Sequence, residues 1–118
     1  MLVVLIGFGI SVNAGETTGS CQVEGVLGAY VTAESELRPS SNDNKYIQVI
    51  VYAYGVEKGS VECKIKYYSS ITNREETVDR LIRFEKDRDG NVKGKVEIYG
   101  LLNPSRIIST EIYRADCR

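Results

Sequence analysis

Between Ser60 and Tyr67, apolar and charged residues alternate almost without a break: Val61, Cys63, Ile65 and Tyr67 against Glu62, Lys64 and Lys66. Successive side chains of an extended backbone point to opposite faces, so a period of two is the signature of a strand with one face buried. Val92 to Tyr99 repeats it, with Val92, Gly94, Val96 and Ile98 against Lys93, Lys95, Glu97 and Tyr99. Ile47 to Tyr54 is apolar on both faces and reads as a central strand; Val23–Thr32 and Ile107–Ala115 read as further strands. Thr77 to Lys86 fits a strand and, almost equally, a short helix. Its neighbour decides, because Asp87-Arg88-Asp89-Gly90-Asn91 carries the Asp-Gly of a tight turn and leads straight into Val92–Tyr99. A hairpin follows.

Polar connectors separate these segments: Glu34–Asn44 with Pro39 inside it, Gly55–Gly59, Ser69–Glu76, and Gly100–Ser105 with Pro104. Short strands with regular turn signals and no long helix predict an all-β fold. The expected form is an antiparallel β-sandwich of about seven strands, immunoglobulin-like in architecture. The likeness is one of architecture only, since there is no tryptophan to pack on a bridge and Tyr113 stands four residues before Cys117. At 118 residues the chain has the length of one domain.

The N-terminus differs from the rest. Leu2 to Ile10 is apolar apart from Gly7 and Gly9, and the first charge is Glu16. The run is too short to cross a membrane, which takes about 20 residues. Val12 and Ala14 stand where a signal peptidase accepts small residues, so residues 1–14 are expected to be a signal peptide and 15–118 the mature domain. A buried N-terminal strand is the alternative, since no Lys or Arg precedes the run. Export implies secretion or the lumen of the secretory pathway, an oxidising compartment where disulfides persist.

Three cysteines, Cys21, Cys63 and Cys117, allow one internal bridge and leave one thiol. Cys63 with Cys117 is the first choice, closing a loop of about 54 residues. Cys21 is then free, linked to a second chain in a disulfide dimer, or paired beyond this segment. Metal binding is the weaker reading, because histidine is absent and the cysteines lack paired spacing. Asp87–Asn91 echoes a calcium loop but lacks the later bidentate acid and the following helix. No metal and no cofactor are expected.

The composition also bounds function. A net charge of −1, with both signs interleaved, offers no basic face for nucleic acid and no polybasic membrane patch. Without histidine, the Ser-His-Asp and Cys-His arrangements are unavailable. The acids mostly fall in connectors or on the polar faces of strands, where they read as solvated charge. The chain is therefore expected not to be an enzyme. Eight tyrosines with no tryptophan suggest a binding surface, and Tyr52, Tyr54, Tyr68 and Tyr99 are its candidates. The plainer explanation is that tyrosine suits strands.

Several segments together resemble the region before the catalytic domain in secreted or Golgi-type invertebrate proteins of glycosyltransferase family 92. They are Ala29-Tyr30-Val31, Arg38-Pro39, Tyr46-Ile47-Gln48-Val49-Ile50, Val61 to Tyr67, and Tyr113 to Arg118. The resemblance implies a β-rich module ahead of a sugar-transferring domain that would begin after Arg118, with no catalytic residue in this sequence. Three readings follow: a secreted module that binds or supports a protein or glycan, a stem fragment of a luminal glycosyltransferase, and a small effector or inhibitor acting through a loop such as Glu34–Asn44.

Overall fold

The computed structural model describes residues 14–21 and 28–117. Of the expected signal peptide all but Ala14, and of the expected strand Val23–Thr32 the residues before Gly28, lie outside these. Seven antiparallel strands run in chain order: β1 (Ala14–Ser20), β2 (Tyr30–Pro39), β3 (Asn44–Tyr54), β4 (Lys58–Ser69), β5 (Arg74–Lys86), β6 (Val92–Leu102) and β7 (Arg106–Asp116). They form one sheet in the order β1-β2-β3-β6-β5-β4-β7. The all-β expectation holds. The order is not that of an immunoglobulin domain, so the likeness ends at the layered architecture.

The sheet bends at β5 and β6. These strands pair only at Glu85–Lys93 and Lys86–Val92, beside their turn, while β5 pairs with β4 from Arg74 to Glu85. Two layers result, β1-β2-β3-β6 and β5-β4-β7, facing each other across the core. Val31 and Ala33 of β2, Ile47, Val49 and Val51 of β3, Ile98 and Leu101 of β6, Val61, Cys63 and Ile65 of β4, and Ile82 and Phe84 of β5 are buried there. Ser35 of β2 and Thr110 of β7, both buried, satisfy each other by a hydrogen bond between the layers. At the bend the layers nearly touch: a Cβ on Gly94 would clash with the backbone carbonyl of Arg83.

Bulges break the simple alternation. Opposite Tyr46, β6 carries both Tyr99 and Gly100, and Gly100 takes φ +94°. The extra residue returns Leu101 to the core side, three positions after Ile98, and carries β6 beyond Tyr99 to Leu102. Strand β7 bulges twice, leaving Ile108 and Tyr113 outside while Ile107 and Thr110 stay buried. The expected loop Glu34–Asn44 is mostly strand. Glu34 to Pro39 pair with Ile50 to Lys45, and the turn is only Ser40–Asp43. The acids there misled, because Glu34 and Glu36 are the exposed positions flanking buried Ser35.

The sheet's two edges, β1 and β7, meet on the far side, where Gly19 lies so close that an added Cβ would stand 2.9 Å from Ile112 Cγ2. A disulfide locks this seam. It joins Cys21 to Cys117, with Cα atoms 5.8 Å apart, and leaves Cys63 as a buried free thiol. The expected Cys63–Cys117 bridge and the intermolecular role for Cys21 are thus corrected. Cys63 lies opposite Ile112, five positions and about 16 Å of strand from Cys117, whereas a bridge needs Cα atoms within about 7 Å.

Closing a loop of 96 residues stabilises the fold by about 4–5 kcal/mol in the chain-entropy view. The double variant Cys21→Ser/Cys117→Ser should lose most of that in urea melts, without loss of strand content at low denaturant. Gly94→Ala should cost about 1–3 kcal/mol in the same melts, since the opposing atom is backbone and cannot rotate away.

Candidate functional site

Because β3 turns Ile47, Val49, Val51 and Ala53 inward, its even-numbered residues Tyr46, Gln48, Ile50, Tyr52 and Tyr54 must face out. The same parity places Tyr30, Thr32, Glu34 and Glu36 of β2 outside on one flank. Lys93, Lys95, Glu97 and Tyr99 of β6 lie on the other. The register lays these side chains in rows. Tyr30 lies opposite Tyr54, Thr32 opposite Tyr52 opposite Lys93, Glu34 opposite Ile50 opposite Lys95, and Glu36 opposite Gln48 opposite Glu97.

Two stacked ring pairs mark the ends of this face. Tyr30 and Tyr54 have centroids 4.7 Å apart, and Tyr46 and Tyr99 5.0 Å. Tyr46 and Tyr54 are separated by about 26 Å of strand. Between them lies a groove of about 400 Å³, lined by Gln48, Ile50 and Tyr52, by Lys93 to Lys95, and by the end of β5 at Glu85–Asp87. Tyr99 is 62% exposed, and its hydroxyl donates to Glu97 Oε1 at 3.1 Å. That bond to a carboxylate, with some desolvation, raises the Tyr99 hydroxyl above its ordinary pKa.

Three of the four tyrosines expected to form a surface, Tyr52, Tyr54 and Tyr99, share this face. Tyr68 does not. It stands on the opposite layer, with its ring 4.6 Å from the Arg106 guanidinium and its hydroxyl donating to Asn73 Oδ1. Reading sequence without a register could not separate the layers. Tyr30 and Tyr46 were missed, although Tyr46 has the same parity as Tyr52 and Tyr54.

The charges around the groove are mostly paired. Lys86 contacts Glu57 at 2.8 Å, and Lys93 contacts Asp87 at 3.5 Å. The Asp87 carboxylate also accepts from the backbone N–H groups of Asp89 and Asn91, closing the turn. Desolvation pushes the Asp87 carboxyl up, but these two donors and Lys93 outweigh it and hold it below the ordinary carboxylate range. That turn spends its acid on its own backbone. Among the described residues, no cluster of three metal-ligating side chains occurs. No protein-family model, no curated protein and no solved structure matches this chain.

Cys63 lies in the core, where burial pushes its thiol up to about 11. The unfolded thiol ionises near 8.5, so the folded state keeps the proton longer. Its contribution is complete below about pH 8.5 and is lost as pH rises toward 11. Urea melts should therefore show the native protein losing on the order of 2–3 kcal/mol more than Cys63→Ala over that interval. Equal slopes for the two proteins would contradict this.

Proposed function

We propose that this chain is a non-enzymatic, secreted binding module that holds a glycan on the tyrosine face of β1-β2-β3-β6. The observation that carries the reading is the spacing of ring pairs along β3 with hydrogen-bonding side chains between them. A sugar ring has an apolar C–H face and a rim of hydroxyls. Tyrosine rings, with negative π-faces, suit the first. Glu34, Glu36, Gln48 and Glu97 supply acceptors for the second, and Gln48 a donor as well.

A protein partner suits the face less well. The core of a protein interface is apolar and depleted of charge. Here Ile50 is the one aliphatic side chain in the outward rows of β3, flanked by the carboxylates of Glu34 and Glu36 on β2 and by Lys93, Lys95 and Glu97 on β6. The internal disulfide supports an oxidising compartment. An array of neutral and acidic oligosaccharides probed with the folded chain tests the reading. Binding should fall at least tenfold in Tyr52→Ala and in Tyr99→Ala, with thermal melts little changed, and Tyr68→Ala should bind as the native chain does. Binding that survives both face variants would refute the assignment.

A further inference from the structure

We infer that the groove across β3 and β6 takes an acidic sugar, with its carboxylate held by Lys95. This rests on the glycan reading of the tyrosine face and adds the charge of the ligand and the direction in which it lies. Three ammonium groups line the groove, but two are already engaged: Lys86 by Glu57 and Lys93 by Asp87. Among the described residues, Lys95 has no carboxylate within ion-pair distance. It stands directly across from Ile50, in the row next to Tyr52. A sugar ring seated on Tyr52 and Ile50 therefore brings a substituent within reach of a cation with no anion of its own.

The other charges set the orientation. Glu34 lies on the far side of Ile50 from Lys95, about two strand spacings or 10 Å across the face, with Glu36 in the next row. Glu85 lines the groove at its β5 end, opposite Lys93 rather than Lys95. Glu97 is two residues along β6 from Lys95 and already accepts from the Tyr99 hydroxyl. A carboxylate placed toward β2 meets Glu34 and Glu36, and one placed toward the β5 end meets Glu85. Only the Lys95 side attracts it, while Glu34 and Glu36 take hydroxyl donors from the neutral rim. Charge of this kind discriminates more strongly than it binds, because the misplaced orientation puts like charges together.

The test uses the full folded chain, isotopically labelled, and three probes: a hyaluronan hexasaccharide, a hexagalacturonate and sialyllactose. Each is paired with its own carboxyl methyl ester. At least one acid should bind ten times or more tightly than its ester, with amide shifts at Ile50, Tyr52 and Lys95 and weaker binding as salt rises. Lys95→Gln should bring acid and ester to the same affinity, and Lys66→Gln, on the other layer, should leave the difference intact. Esters that bind as well as the acids at the same amides overturn the charge assignment and leave the glycan face standing. If neither acids nor esters shift those amides, the glycan reading fails as well.

Discussion

The architecture depends on fastening the two free edges of one bent sheet. A sheet whose outer strands do not pair exposes backbone donors and acceptors along both edges. Here the outer strands are β1 and β7, and β1 is poorly equipped to stay in place. Its sequence, Ala-Gly-Glu-Thr-Thr-Gly-Ser, has no large apolar side chain to bury, and its ladder runs to β2 alone. The bridge from Cys21 to Cys117 supplies what β1 lacks, at the end where both strands finish. A smooth strand surface at Gly19 then lets Ile112 close against it.

Once the edges are fixed, the tyrosine-bearing face has little freedom. The buried rows of β2, β3 and β6 dictate which residues look outward, and antiparallel register decides which of them stand side by side. The two stacked tyrosine pairs are each made across strands, Tyr30 with Tyr54 and Tyr46 with Tyr99. The second pair also needs the bulge at Tyr99–Gly100, which sets two residues of β6 against Tyr46. The groove between the pairs exists because β5 breaks away from β6 after two paired positions, so its end walls a space that a flat sheet would lack. Site and bend have one origin.

Sequence alone exposes the strands that keep a strict period. The central strands β3, β4 and β6 announced themselves through alternating or wholly apolar runs, and the turn at Asp87–Asn91 placed β5. Strand β7 was blurred because the bulge at Ile108 sets the inward positions Ile107 and Thr110 three apart rather than two, and a second bulge follows at Tyr113. Strand β1 left no hydrophobic signal, since backbone pairing and a covalent link hold it instead. Glu34 and Glu36 looked like loop because exposed strand positions and loop positions share a composition. The cysteine pairing was misjudged for a related reason. Cys63 obeys the alternation of β4 perfectly, which makes it a core residue, and with β1 unrecognised nothing placed Cys21 near the chain's other end. For the site, parity along β3 was readable, but which layer carried Tyr68 was not.

The most direct test of this account is differential alkylation of the native protein followed by peptide mapping without reductant. Alkylation before unfolding should leave every cysteine unmodified. After unfolding, only the peptide containing Cys63 should take label, and Cys21 and Cys117 should appear in one cross-linked species. A cross-link between Cys63 and Cys117, or a Cys21 that labels in the folded state, would mean that the β1–β7 seam is not closed covalently, and the arrangement built on it would have to be abandoned.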